Sequence, residues 1–311
     1  MKLFTPFKPM ELKKVKELPL DNEKYIYQIK WDGIRGLVHS DGQEVRVFNR
    51  NLADKTLQYP ELQELLKWNK KIILDGEIIV LNEGLPSFTQ VIRRDFASSK
   101  TKIASLRKVM PIVYCVFDIL FYEDRSLINL PLLERLKYLE VLREENLPFI
   151  YFTEIFNTGK DLFEQTKEKK MEGIVAKEVL SPYEIGYKSG KWLKIKHRRL
   201  QNCIVCGYTT KELRPSALVL GAYNAQEELI YVGRAASGLT GQELALLKEG
   251  AKPLISKKPH ILNPPQDNLT YIWLVPKLTV LVEFSEWTED LKLRIPVIKG
   301  FTNISPEKCR I

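Results

Sequence analysis

The segment Tyr25-Ile26-Tyr27-Gln28-Ile29-Lys30-Trp31-Asp32-Gly33-Ile34-Arg35 constrains the fold more than any other stretch of the chain. Its first half alternates and is rich in β-branched and aromatic residues, which predicts a strand over Tyr25 to Lys30. Gly33 then predicts a turn in which a ligand can come close against the backbone. The strand thus delivers a primary amine, Lys30, to a turn that carries a carboxylate, Asp32, and a guanidinium, Arg35. A lysine so placed is a candidate covalent nucleophile for a phosphorus centre. Taken alone, Lys-x-Asp-Gly-x-Arg also fits an ordinary surface hairpin, because short motifs recur by chance.

Strand and helix signals alternate up to Arg199. Strands are expected at Gly36 to Ser40 and Val45 to Arg50, joined by an Asp41-Gly42 turn, and at Lys71 to Leu81 and Pro111 to Tyr122. Further strands are expected at Phe149 to Ile155, Glu172 to Val179 and Trp192 to Lys196. Helices are expected from Pro60, with proline in the first turn, and from Ser87 to Phe96, capped by Ser87. Two more are expected at Pro131 to Glu145, where Leu132, Leu136, Leu139 and Leu142 share a face, and at Gly159 to Lys170.

Beyond Arg199 the pattern becomes short strands with polar turns: Asn202 to Thr209, Ala217 to Tyr223, Leu229 to Arg234, Leu278 to Trp287 and Leu291 to Ile295. One helix, Thr240 to Lys248, and a Pro-rich connection interrupt them. This pattern suits an oligonucleotide-binding (OB) barrel. The expected organisation is an α+β domain over residues 1–199, built of antiparallel sheets with flanking helices, and a β-barrel domain over residues 200–311.

A net charge of +9 points to a polyanionic partner. Residues 188–199 concentrate it, with Lys188, Lys191, Lys194, Lys196, Arg198 and Arg199 and no acidic residue. Lys194 and Lys196 flank Ile195 in a strand pattern, so both amines share one sheet face. Surface solubility is the plain explanation; a bound phosphate explains better why two like charges are held together. With 44% hydrophobic residues the chain can bury ordinary cores. It has no apolar run long enough for a membrane span, and its start lacks the apolar core of a signal peptide. Cys203-x-x-Cys206 lies in an apolar strand without a second pair. Buried thiols, rather than zinc or a disulfide, and a reducing, cytoplasmic setting are therefore expected. His39, His197 and His260 form neither a metal-site spacing nor a triad.

The hexapeptide has ordered companions: Phe48-Asn49-Arg50-Asn51, Leu74-Asp75-Gly76-Glu77-Ile78-Ile79, Val116-Phe117-Asp118-Ile119-Leu120, Met171 to Lys177, and Lys191-Trp192-Leu193-Lys194-Ile195-Lys196. The set closely resembles the covalent nucleotidyltransferases, and within them the ATP-dependent DNA ligases, most of all the ligase domain of bacterial end-joining enzymes. The resemblance runs from Pro6 to Trp287. It implies a nucleotidyltransferase (adenylation) domain followed by an OB domain, the two closing over ATP and reopening to clamp DNA. It also implies nick sealing in duplex DNA through a lysyl-AMP at Lys30.

A lysine amine attacks only when deprotonated, and neighbouring cations disfavour its charged form. Lys194 and Lys196 suit the negative charge that spreads over phosphoryl oxygens in such a reaction. The implied nucleotide site comprises Gln28, Ile29, Arg35, Arg50, Glu77, Phe117, Glu172, Lys194 and Lys196. Phe117 would stack on adenine, although its apolar flanks also fit plain core packing. Arg50 would face the 5′-phosphate of the nick. Glu77 and Glu172 would hold magnesium, with manganese as a substitute; for Asp75 a structural ion pair is an equal reading. Nicked DNA is the implied substrate, a Ku-like end-binding protein an implied partner, and a nucleoid-associated monomer the implied state.

Two departures stand out. Gln28 occupies a position where the family often has glutamate, which shifts adenine selection toward backbone groups. Gly300-Phe301 is followed by Thr302-Asn303-Ile304-Ser305 where an Arg-x-Asp-Lys motif usually orients pyrophosphate, leaving Lys299 and Arg294 as nearby substitutes. The alternatives are an RNA ligase or RNA-capping nucleotidyltransferase, and a catalytically degenerate DNA-binding homologue.

Overall fold

A computed structural model of the chain describes every residue except Met1, Leu18, Leu20, Asn22, Asn146, Leu213 and Glu289. The chain divides into two units, Met1–His197 and Arg198–Ile311. The first contains strands β1 (Glu11–Lys14), β2 (Tyr25–Ile29), β3 (Ile34–Asp41), β4 (Val45–Asn49), β5 (Lys71–Asn82), β6 (Leu85–Pro86) and β7 (Ile112–Tyr122). It continues with β8 (Arg125–Ser126), β9 (Ile150–Phe152), β10 (Gly173–Glu178) and β11 (Lys188–Lys196). Helices α1 (Phe88–Asp95), α2 (Lys100–Val109), α3 (Leu132–Arg143) and α4 (Gly159–Glu168) flank them.

Two sheets organise this unit. One runs β1-β11-β10-β2; the other runs β4-β3-β5-β7-β8, with β6 on β5 and β9 on β7. Pairing is antiparallel except for β1 on β11 and β9 on β7, a small correction to the all-antiparallel expectation. In the first sheet alternation separates two faces. Tyr27, Ile174, Ala176, Leu193 and Ile195 cluster with Leu162 of α4, which leaves Gln28, Val175, Lys177, Trp192 and Lys194 to the opposite face.

Three local expectations change. Pro60–Trp68 is a 3₁₀-helix, because Leu62, Leu65 and Trp68 are buried every third residue, the period of that helix. The helix α2 was not expected: only Ile103 of it is buried, too little to make an apolar stripe. At Gly33, which lines the cleft described below, an added Cβ would lie 2.3 Å from the Ile78 carbonyl oxygen, so glycine there also admits the protein's own backbone.

Charged groups are buried deep in this unit. Arg135 and Asp118 are both fully buried and form a bidentate pair at 2.8 and 2.7 Å, while the carbonyls of Leu130 and Ser181 take further Arg135 protons. Arg94 likewise pairs with Glu61 at 2.9 and 3.0 Å. Such pairs are costly to break one-sidedly because the remaining charge stays buried. Arg135→Met should lower unfolding free energy by about 3–5 kcal/mol in urea melts, and the double change Arg135→Met/Asp118→Leu should recover most of it.

His39 is buried among Phe4, Phe7 and Phe48, and its Nδ1 accepts the Phe4 amide at 3.0 Å. Burial pushes its imidazole from 6.5 down to about 4. Between those values the unfolded chain binds a proton that the folded chain refuses, so stability falls as pH drops through this window. His39→Asn keeps an acceptor but cannot titrate. Its melting temperature should therefore fall less than the wild type's between pH 6.5 and 4.

The second unit is a sheet of seven strands: β12 (Arg199–Lys211), β13 (Arg214–Tyr223), β14 (Leu229–Ala235), β15 (Ile255–Ser256), β16 (Thr270–Leu274), β17 (Thr279–Phe284) and β18 (Val297–Thr302), with helix α5 (Gly241–Gly250). The long β12 pairs β17 along its first half and β16 along its second. A parallel bridge from Ser237 to Val297 and the Leu293 amide on the Val232 carbonyl at 2.7 Å bring the ends of the sheet together. Seven strands replace the five expected. Two arise in the Pro-rich connection, and β18 lies beyond Ile295. Leu291 to Ile295 is no strand: both end residues adopt positive φ, 57° and 52°, which extended backbone excludes. The helix starts at a capping box between Thr240 and Glu243. All four cysteines are buried free thiols.

Candidate active site

A cleft of about 380 Å³ in the first unit lies over the polar face of the β2–β10–β11 sheet, within the size range of small-molecule sites. Gln28, Ile29, Lys30, Arg35, Arg50, Glu77, Phe117 and Lys194 all line it. Glu172 and Lys196 are not on its wall but join it through Lys30.

Cross-strand register sets the order of groups. Val175 stands opposite both Gln28 and Lys194, and Lys177 stands opposite Ile26 and Trp192. Gly173, opposite Lys196, marks the other end. Gly173 and Lys177 are four residues apart, roughly 13 Å along an extended strand. A cationic end and an aromatic end therefore share one sheet face.

At the cationic end, the Lys30 amide donates to the Gly173 carbonyl at 3.0 Å and the Lys30 Nζ donates to Glu172 Oε2 at 2.5 Å. Lys196 pairs with the second oxygen of Glu172. Gly173 sits at φ 146°, and a Cβ there would lie 2.1 Å from the Ile195 carbonyl, so only glycine lets β10 and β11 close on this corner. Burial opposes ionisation of Glu172, but Lys30 and Lys196 together hold its carboxyl below the usual range. Lys194 makes no ion pair among the described residues, and burial, Lys30 and Lys196 hold its amine below the usual lysine value.

Glu77 faces the same cleft with no hydrogen bond among the described residues. Burial pushes it up to about 7 against the pull of Lys30 and Arg35. It fits a cation or a hydroxyl donor. Glu172 can join it only by exchanging a lysine contact.

Arg35 serves the scaffold. Its Nε and Nη2 bind Asp75 at 2.9 and 2.6 Å, and its Nη1 binds the Met10 carbonyl at 2.6 Å. Asp75 is fully buried and also accepts from the Tyr183 hydroxyl at 2.7 Å, so its structural ion pair is what forms. Arg50, by contrast, is exposed at the cleft rim and makes no ion pair among the described residues. Its loop is held by the Asn49 side chain, which accepts the amides of Asn51 and Ala53 at 2.9 and 3.0 Å.

Phe117 reaches the cleft through a β-bulge. Asp118 pairs with Asp75 and Val116 with Gly76, which leaves Phe117 as the extra residue. A bulge re-aims a side chain in this way. Sequence reasoning missed Lys177 and Trp192, which line the same wall. The alternation from Val175 to Lys177 was the available signal. Lys299 and Arg294 belong to the second unit, where Lys299 lies 3.6 Å from Glu283 and Arg294 pairs with Glu286.

Residues 6–196 match the ATP dependent DNA ligase domain, and residues 211–303 match the ATP dependent DNA ligase C terminal region. The chain belongs to the ATP-dependent DNA ligase family. The SPbeta prophage-derived DNA ligase-like protein LigB of Bacillus subtilis is 34% identical over 66% of this chain and 73% of its own length. The multifunctional non-homologous end joining protein LigD of Mycolicibacterium smegmatis is 31% identical over 92% of this chain but 36% of its own length. The chain thus spans little more than a third of that relative. The solved ligase domain of M. tuberculosis LigD matches with a TM-score of 0.57 at 27% identity, covering 97% of both chains. Mycobacterial DNA ligase D complexed with ATP and MES matches at 0.58 and 28%, also covering 97% of both. The fold is therefore the ligase nucleotidyltransferase domain followed by an OB-like barrel.

The corner yields a stability contrast. Glu172→Gln removes the carboxylate with which Lys30 and Lys196 pair and should cost about 1–3 kcal/mol in denaturant melts. Lys194→Met removes an unpartnered, half-buried cation and should hold or raise the melting temperature. The Glu172 contribution should be full above the ordinary carboxylate range and vanish as pH falls through its lowered value.

Proposed function

We propose that this chain seals nicks in duplex DNA, using ATP as co-substrate and Lys30 as the nucleophile. The single observation that carries this is the order of groups along the cleft. The Lys30–Glu172–Lys196 corner and the free Lys194 lie at one end, Phe117 beyond them, and the free Arg50 at the rim. That order matches a triphosphate followed by a ribose and a base.

In the first step the Lys30 amine leaves its hydrogen bond to Glu172, loses a proton and attacks the α-phosphorus. A P–N bond forms, the bond to the bridging oxygen breaks, and pyrophosphate departs. Lys194 and Lys196 offset the charge on the phosphoryl oxygens. An oxygen of the 5′-phosphate then displaces Lys30 from the adenylyl phosphorus, with Arg50 holding that phosphate bidentately. Last, the 3′-hydroxyl attacks the 5′-phosphorus and expels AMP.

Glu77, unpartnered in the cleft, together with Glu172 would hold magnesium or manganese, which keep waters beside one or two carboxylates. When bound, such an ion supplies further positive charge to the phosphoryl oxygens. Family membership favours DNA over the RNA-joining and capping alternatives. The mycobacterial relative is an end-joining protein, which supports a repair setting, a Ku-like partner and a nucleoid location.

Denaturing gels after incubation with α-labelled ATP, GTP or NAD test the reading directly. The chain should take label from ATP alone and pass it to nicked DNA, and Lys30→Ala should take none. Arg50→Ala should label nearly as well as the wild type but transfer AMP to DNA at least tenfold more slowly, a loss of about 1.4 kcal/mol or more in transition-state stabilisation. Label retained by Lys30→Ala would remove the assignment.

A further inference from the structure

The residue that follows Lys196 takes no part in the scheme above, yet it ties the cationic corner to a helix. His197 closes the first unit. Its amide donates to the Glu172 carbonyl at 3.1 Å, so it holds the backbone of the carboxylate that Lys30 and Lys196 share. The half-buried ring lies on α4: its centroid is 4.1 Å from that of Phe163 with the planes 30° apart, and Nε2 is 2.9 Å from Thr166 Oγ1. Thr166 is 2% exposed, and its hydroxyl donates to the Phe163 carbonyl at 2.9 Å. A hydroxyl has one proton. With that proton committed, Thr166 accepts from the imidazole, which fixes a proton on His197 Nε2.

The same threonine reaches the other side of Glu172. Its carbonyl accepts the Met171 amide at 2.8 Å, so the segment leading into Glu172 and the segment leaving Lys196 both end on one residue of α4. The opposite end of that helix is seated on the strand of the nucleophile. A Cβ at Gly159 would lie 2.4 Å from the Tyr27 ring, and Leu162 packs with Tyr27 in the same apolar cluster. The helix α4 therefore runs from β2, which delivers Lys30, to the end of β11, which delivers Lys196. A histidine placed for solubility would turn its ring to water; this one is stacked on a face and bonded at an edge, which leaves it little freedom.

We infer that His197 is a positioning residue for nucleotidyl transfer. It acts through Glu172 and Lys196. The clamp from α4 keeps the carboxylate and the second lysine at one distance from the Lys30 amine. When that amine leaves its hydrogen bond to attack phosphorus, Glu172 stays with Lys196 and does not follow it. The inference rests on Lys30 as the nucleophile, and His197 itself does not line the cleft.

The test uses the full chain and single-turnover labelling with α-labelled ATP. His197→Ala should lower the maximal labelling rate by about tenfold to a hundredfold and leave KM for ATP within about twofold, since misplacing a reacting group by roughly 1 Å can cost the larger factor. His197→Gln, which keeps an N–H for Thr166, should recover most of the rate. Thr166→Val removes the acceptor and should slow labelling, and the double variant should be no slower than His197→Ala. Thr166→Ser should label as the wild type does, and its contrast with Thr166→Val carries the same comparison if His197→Ala does not fold. A second readout needs no nucleotide. Acetylation by an N-hydroxysuccinimide ester, followed residue by residue by mass spectrometry, should speed up severalfold at Lys30 and Lys196 in His197→Ala and stay unchanged at the exposed Lys67.

An unchanged labelling rate in His197→Ala would overturn the proposal, as would a loss that resides in KM. So would a lower melting temperature with labelling rate and Lys30 acetylation intact, which marks a purely structural ring. Multiplicative losses from Thr166→Val and His197→Ala would overturn it too, because the two then do not act as one clamp. If the wild type takes no label from any nucleotide, the covalent scheme fails separately, and the acetylation of Lys30 then decides the role of His197.

Discussion

The pairing of β10 with both β2 and β11 is the constraint on which the site depends. Its middle position makes every side chain of Gly173–Glu178 answer to two neighbours at once. Ile174 and Ala176 pack with Tyr27, Leu193, Ile195 and α4. A slip of one residue would turn these onto the cleft and bury the charges, so the apolar cluster fixes the register and the register fixes the chemistry. The corner at Gly173 adds a second lock, because the backbone of β11 passes where a side chain would be. Lys30, Glu172 and Lys196 meet there because three strands are forced to that distance.

The second sheet contributes through its buried ion pairs. Asp75 on β5 and Asp118 on β7 are cross-strand partners, each tied to its own arginine. These pairs flank the bulge that leaves Phe117 unmatched in the ladder. The net stability from such pairs is small, since desolvation offsets most of the attraction. Their effect is geometric: Arg35 reaches the carbonyl of Met10, just before β1, and Arg135 reaches the Ser181 carbonyl, so the bulge has little freedom to slide. The cation–π contacts of Arg35 and Lys177 with Phe117, at 5.4 and 4.3 Å, then orient its ring.

How much was legible in the sequence varied with the kind of signal. Period-2 alternation placed Lys194 and Lys196 on one face, and 3.6-residue periodicity found the leucine stripe of α3, with Leu132, Leu136, Leu139 and Leu142 all buried. Most strands of the first unit were readable within a few residues. Features that depend on a distant chain segment were not. The close approach of Ile78 behind Gly33 is invisible locally, Arg35 reads as part of the nucleotide site until Asp75 takes its fork, and Phe117 fits plain core packing until the bulge turns it. Lys177 ends the Met171 to Lys177 motif with no sequence signal of its own. A lysine in an apolar run looks like a strand end, and the two aromatic rings that make its burial tolerable come from Phe117 and Trp192, far along the chain. The second unit suffered most, because Tyr271–Leu274 of β16 is an apolar run without alternation, β18 is interrupted by Lys299 and Gly300, and both gain their order from β12 and β17.

The unsatisfied groups of the cleft form a consistent set. Among the described residues Lys194 makes no ion pair, Glu77 and Gln28 Oε1 accept no hydrogen bond and Trp192 Nε1 donates none, while Lys177 keeps donor capacity in reserve. A core shaped for stability alone would replace each with an apolar neighbour or pair it internally, as the chain does at Arg94 and Arg135. The charges buried in the scaffold, Arg94 with Glu61 and Arg135 with Asp118, pair within the unit, whereas Lys194, Glu77 and Arg50 at the cleft make no ion pair among the described residues. Open groups of both signs, ordered from cationic to aromatic along one strand direction, describe the electrostatic negative of a nucleotide. Binding such a ligand would satisfy them together, so part of the free energy withheld from folding is available to hold the ligand in a single register.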